Sequence, residues 1–143
     1  CLGLLSLATA WPNLPIMLHS ADNFLIDQAQ DSARHWLKRA VDPVPKPNRS
    51  LSDGQIINFA NETLRVIHTP GHTPGSIALL SNKQGNDETY LFTGDTLFAN
   101  GVGRTDFAYS NHQHLLKSLT KLKQLKEAGA YSLALPGHGS SFY

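Results

Sequence analysis

Three short segments of this chain set a metal-ligand residue type beside glycine. They are HTPGHTPGS at 68–76, FTGDTLF at 92–98 and LPGHGSS at 135–141. Each follows a strand-like run. Glycine beside a ligand lets the backbone turn sharply at a strand end and aim the side chain into a crevice. Loops on one rim of a sheet can bring such residues within about 4 to 5 Å of each other, the reach implied by metal bonds of about 2.0 to 2.2 Å. The ligand set read in this way is His72, Asp95 and His138. Two imidazoles and one carboxylate suit zinc, and equally suit the two-His, one-carboxylate arrangement of non-haem iron. Taken singly, each has a plainer role: His72 as a solvated turn residue, Asp95 as a turn or helix cap, and His138 as a surface residue between two glycines.

The other histidines fit a first ligand shell less well. His112 and His114 lie about 200° apart around a helix, so they do not chelate one ion from it. His68 and His72 have the four-residue spacing of a helical pair, but Pro70-Gly71 between them forbids the helix. His19 reads as a strand-end residue and His35 as a helix-surface residue. Other catalytic schemes find less support. No G-x-S-x-G elbow precedes Ser140 or Ser141, Cys1 is terminal with no orienting neighbours, and GVGR lacks the spacing of a phosphate cradle.

These loops need elements to position them. Leu2, Leu4, Leu5 and Leu7 read as one apolar face of a short helix whose beginning lies before this sequence. Ile16–His19 reads as a strand, followed by Ser20 as an N-cap. Leu25, Ala29, Ala33, Trp36, Leu37 and Ala40 recur every three or four residues and predict an amphipathic helix over Ala21–Ala40. The prolines of VDPVPKPN make 42–48 a loop. Strands are expected at Gln55–Phe59, Thr63–His68, Ser76–Leu80 and Tyr90–Thr93. The first two form a hairpin through Ala60-Asn61-Glu62, and SNKQGNDET is a polar turn. FANGVGRTDF reads as a long glycine-rich loop. Ser110 with Gln113 forms a capping-box pattern opening a helix over Asn111–Ala128, stopped by Gly129. Tyr131–Leu135 is a last strand entering PGHG. Helix, strands, helix and strand in that order predict a mixed α/β layered fold.

Composition narrows the function. With 143 residues the chain matches one domain, and its formal charge of +1 with no basic run argues against a nucleic-acid surface. A single cysteine excludes an internal disulfide and a Cys-rich zinc framework, in keeping with a reducing, cytoplasmic setting. No apolar stretch is long enough to cross a bilayer as a helix. CLGLLSLATA has the core of a signal peptide but no basic n-region, so the helical reading is preferred.

In order and spacing, TPGHTPGS, LFTGDTLF, GVGRTDF and PGHG resemble the second half of the metallo-β-lactamase superfamily, and within it the short glyoxalase II-like hydrolases. The resemblance implies an α/β fold, the C-terminal portion of a four-layer αβ/βα sandwich whose N-terminal half is missing, with 1–143 as a single incomplete domain. Position by position it makes His72 a ligand of the first metal, Asp95 the carboxylate bridging both, and His138 a ligand of the second. Arg104 in the GRTDF loop becomes a substrate contact, unless it is spent on a salt bridge with Asp106. The family's upstream H-x-H-x-D-H motif does not occur here, which leaves each metal two ligands short. The implied activity of the intact protein is metal-assisted hydrolysis of a glutathione thioester or similar ester. The implied cofactor is zinc, two per site, with iron or manganese as alternatives, and this chain alone is expected to be inactive. Persulfide dioxygenases, with mononuclear iron, resemble the same segments and give a second reading. A non-catalytic remnant or interaction module is the third. A missing half-sandwich would leave an apolar sheet face that self-association or a partner segment must cover.

Overall fold

A computed structural model describes residues 3–59, 61–83 and 88–143 of the chain. These residues pack as two compact units, 1–51 and 52–143.

In the first unit, helix α1 (Leu4–Ala10) buries none of its residues, and Leu7 is 52% exposed. Leu2 of the expected apolar face lies outside the described residues. Strand β1 (Met17–His19) pairs in parallel with β2 (Arg49–Leu51), a strand the proline-rich approach did not announce. Asn48 makes the join by accepting from the Ile16 N–H on its side chain and donating its own N–H to the Ile16 carbonyl.

The single helix expected over Ala21–Ala40 is instead three pieces. A 3-10 turn (Ser20–Asp22) precedes α2 (Asn23–Asp27) and α3 (Ala29–Leu37). The cap is His19, whose Nδ1 accepts from the Ala21 N–H, and not Ser20. The helix ends at Lys38, which takes the left-handed conformation at φ 54°, before Ala40 is reached. The periodic apolar positions do not hold one continuous helix because neither α2 nor α3 buries a residue, and Trp36 is 66% exposed. Short helices persist mainly through burial of a face, and little is buried here.

The second unit is a five-stranded sheet ordered β3-β4-β5-β6-β9. The strands are β3 (Ile56–Phe59), β4 (Glu62–His68), β5 (Ile77–Lys83), β6 (Tyr90–Gly94) and β9 (Leu133–Pro136). β3, β4, β5 and β6 run antiparallel in succession, and β9 joins β6 in parallel. β4, β6 and β9 therefore point the same way and end on one rim. Part of the expected polar turn is strand, because the β4–β5 ladder continues through Leu64–Ser81 and Thr63–Asn82 to Glu62–Lys83. The rest of that turn, 84–87, and Ala60 of the hairpin turn lie outside the described residues. At the start of FANGVGRTDF and the residue before it, two two-residue strands, β7 (Leu97–Phe98) and β8 (Gly101–Val102), form a hairpin where a loop was expected. Strands that short carry no readable periodicity, although Asn100-Gly101 is a turn signal.

Helix α4 (His112–Glu127) supplies Leu122 to a core made with Ile67, Ala78, Leu80, Leu91, Tyr131 and Ala134. Alternation on β6 sends Leu91 and Thr93 inward and leaves Phe92 on the other face, 40% exposed. Burying a leucine such as Leu91 or Leu122 contributes about 1.5–3 kcal/mol. The α4 cap is Asn111, whose side chain accepts from the His114 N–H, so the expected Ser110/Gln113 box does not form. The Ser110 hydroxyl is used elsewhere. Gly129 follows the helix at φ 67°, as its stop signal predicted.

Candidate metal centre

The loop after β4 is a tight excursion, closed where the Thr69 N–H donates to the Ser76 carbonyl and His68 pairs with Ile77. It rests on the start of α4. The Asn111 N–H donates to the Gly71 carbonyl at 2.8 Å, Ser118 Oγ to the Pro70 carbonyl at 2.8 Å and Ser110 Oγ to the His72 carbonyl at 2.6 Å. Glycine is required at 71, since a Cβ there would lie 2.5 Å from both the backbone N and Cα of Leu115, and its φ is +146°. The helix start thus fixes the backbone that carries His72.

Asp95 and His138 arrive on neighbouring strand ends. Gly94 of β6 pairs with Pro136 of β9, and the Gly137 N–H donates to the Gly94 carbonyl at 2.8 Å. Side chains placed just past the carboxyl ends of parallel strands share a crevice. Thr69 Oγ1 and Thr96 Oγ1, both fully buried, join the His72 and Asp95 loops by a 3.0 Å hydrogen bond.

The three residues singled out in the sequence meet around one carboxylate. Asp95 Oδ2 is 3.9 Å from His72 Nε2, and Asp95 Oδ1 is 3.5 Å from His138 Nε2. A direct charge-assisted hydrogen bond would close to about 2.7–2.9 Å. Two ligands on one tetrahedral ion with bonds of about 2.1 Å stand roughly 3.4 Å apart. The separations therefore suit donors that share a cation better than donors bonded to each other. The His72 ring points the same way. Its Nδ1 lies 2.9 Å from the Arg104 carbonyl, which only accepts, so Nδ1 donates and Nε2 is the ring nitrogen left facing Asp95.

Two further glycines keep the crevice open. A Cβ at Gly137 would strike Asp95 Oδ1, and one at Gly103 would strike the Asp95 carbonyl and crowd His72 Cβ. The donors differ in exposure, with side chains 19% exposed for His72, 37% for Asp95 and 78% for His138. Among the described residues, no group of three or more His, Cys, Asp or Glu converges to hold one ion.

Arg104 sits beside the site with its guanidinium on Asp106, Nε and Nη2 each 2.6 Å from a carboxylate oxygen. That forked hydrogen bond, with the adjacent positive charge, holds the Asp106 carboxyl down at about 2. The guanidinium carbon also lies 4.5 Å from the Phe107 ring centre, and Phe107 meets His72 edge-on at 5.8 Å. Sequence reading missed the Arg104 carbonyl and the Ser110 hydroxyl as supports of His72. A backbone acceptor leaves no residue-type signal, whereas the glycines of GVGR were a visible mark of close approach. His68, His112 and His114 contribute nothing to the cluster: His68 Nε2 lies 2.9 Å from the Pro74 carbonyl, and the other two are exposed on α4.

The sheet thus carries two imidazoles and a carboxylate, residue types that ligate metal, on one rim. Residues 1–138 match the metallo-beta-lactamase superfamily, and the chain belongs to it. An uncharacterized protein of Mycobacterium tuberculosis is 41% identical over 134 residues, covering 89% of this chain and 58% of its own length. Hydroxyacylglutathione hydrolase GloC of Haemophilus influenzae is 31% identical over 120 residues, covering 83% and 53%. The crystal structure of TTHA1623 in a di-iron-bound form superposes with a TM-score of 0.79 at 31% identity, over 99% of this chain and 65% of that one. The chain spans just over half the length of these curated relatives. The superfamily and its hydrolase-named relatives make a metallo-beta-lactamase-type, hydrolase-like fold the coarse description of this chain. No helix among the described residues is long and apolar enough to cross a membrane.

Proposed function

We propose that His72, Asp95 and His138 are ligands of a binuclear metal centre, with Asp95 bridging, and that the whole protein hydrolyses a glutathione thioester or a similar small ester. The observation that carries this reading is the division of the Asp95 carboxylate, one oxygen toward each imidazole. The likeness to a hydroxyacylglutathione hydrolase supports the substrate class. Zinc, two per whole site, is the proposed metal, and the di-iron form of a relative makes iron the first alternative.

A divalent metal bound there would supply Lewis acidity and lower the pKa of a bound water to about 7. This chain's own residues do the positioning. In this reading Asp95 serves both ions, the Arg104 carbonyl accepts from His72 Nδ1, and Gly103 and Gly137 leave room beside Asp95 and His72. Arg104 is the proposed substrate contact, because Asp106 uses only two of its five N–H donors and its side chain is 58% exposed. The reading takes 1–143 as one incomplete domain of a cytoplasmic protein with a small-molecule substrate and no nucleic-acid or membrane partner.

The set offers each ion two donors, and a tight site takes three or four. This chain alone is therefore expected to hold metal weakly, and further donors are to be sought in the whole protein. The test is to measure bound metal and thioester hydrolysis for the longest gene product containing this chain and for its Asp95→Ala variant. Loss of both supports the reading. Normal turnover and two retained metals in the variant would refute it.

A further inference from the structure

A cavity of about 330 Å³ opens on the surface of α4, lined by His68, Pro70, His114, Lys117, Ser118 and Lys121. Positions 114, 117, 118 and 121 fall on one face of the helix at spacings of three and four. The helix carries four lysines against one glutamate. Three of those lysines are engaged. Lys121 lies 3.2 Å from both Asp53 oxygens and 3.3 Å from the His68 carbonyl, Lys123 pairs with Glu127 at 3.7 Å, and Lys126 sits over the Tyr131 ring. Among the described residues, the Lys117 ammonium and the His114 ring have no such partner. Asp53, the carboxylate beside this face, is already taken by Lys121 and by the His68 N–H at 2.7 Å.

We infer that this cavity is an anion site for a phosphate group, held by Lys117, with the His114 ring as a second donor. A compact ammonium is a point-charge phosphate binder, and a second N–H donor on the same oxyanion adds to the attraction. The volume exceeds that of a bare oxyanion and reaches the lower end of small-molecule cavities, roughly 300 Å³. Pro70 and the lysine stems offer an apolar wall to whatever carries the phosphate. Ser118 does not join the donors, since its hydroxyl is given to the Pro70 carbonyl. None of His72, Asp95 and His138 lines the cavity, so the inference stands apart from the metal reading.

The experiment is an NMR titration of the chain with inorganic phosphate and, separately, with phenyl phosphate, at fixed pH and ionic strength. Saturable shifts centred on Lys117 and the His114 ring are expected. Lys117→Ala should weaken binding by about tenfold, the scale of one charge-assisted contact, while Lys123→Ala leaves it unchanged. Tighter binding of the ester assigns the site to a phosphorylated small molecule, and equal binding assigns it to free phosphate; both support the site. The inference is overturned if neither probe saturates, if acetate gives the same shifts, or if Lys117→Ala binds as the parent does.

Discussion

Replacing Gly71 by alanine tests whether the His72 loop is held by the helix start, and the structure sets the size of the effect. The added methyl would lie 2.5 Å from the Leu115 N and Cα and 2.6 Å from its Cβ, all in α4. No flexible side-chain end can yield there, so either the loop or the helix must shift. Overpacking of this kind costs about 1–3 kcal/mol, and the disfavoured φ of +146° adds roughly 1–2 kcal/mol. A loss of about 2–5 kcal/mol is expected, a large share of a typical stability of about 5–15 kcal/mol. Gly129→Ala is the control, because it too has a positive φ, of +67°, but nothing within 4 Å of the added atom. It carries the backbone penalty alone, about 1–2 kcal/mol. Urea unfolding of the parent and both variants measures the difference. Equal losses for Gly71→Ala and Gly129→Ala would show that the contact with Leu115 does not hold the loop, and the positioning of His72 by α4 would have to be abandoned.

Further outcomes follow from the site and the surface. In the whole protein, Asp95→Ala is expected to lower thioesterase kcat/KM more than His72→Ala or His138→Ala, because one carboxylate serves both ions; metal content of each variant checks the cause, and an equal or smaller loss for Asp95→Ala argues against bridging. The chain by itself should carry less than one metal per molecule and lose it to a chelator, so one ion surviving dialysis against a chelator would mean that another residue completes a site. Asp106 should titrate near 2 instead of 3.8 through its hydrogen bond to Arg104, and Arg104→Gln should return it to the ordinary range in a carboxyl NMR titration. Since the folded value is the lower one, whatever stability this pair adds is fully present above about pH 4 and fades as pH falls through about 2. With Trp11, Leu14, Trp36 and Phe92 all at least 40% exposed, self-association or capture of a covering segment is expected, and a sharply monomeric species in sedimentation at high concentration would count against it.

How much of this was readable beforehand depends on the range of the interaction that decides each element. The strands of the second unit were legible because apolar alternation over four or more residues reports a half-buried sheet directly, as at Thr63–His68 and Tyr90–Thr93. His72, Asp95 and His138 were legible as candidates because glycine beside a ligand type at a strand end is a local mark. The break at Gln28, the Asn111 cap and the β7–β8 hairpin were not. The cap turns on a choice between near-equal local options, Ser110 or Asn111, that a partner distant in the chain settles, whereas the helix over Ala21–Ala40 breaks because little of it is buried. Ser110 shows the reason most plainly: its hydroxyl, suited to a cap, instead bonds the carbonyl of His72, 38 residues away. The sequence by itself determined which residue types stand at the strand ends and that the strands form. Only the tertiary structure decided that β4, β6 and β9 end on one rim and that the two oxygens of Asp95 face different imidazoles, because direction in a sheet and the aim of a side chain are set by pairing between segments that no local pattern encodes.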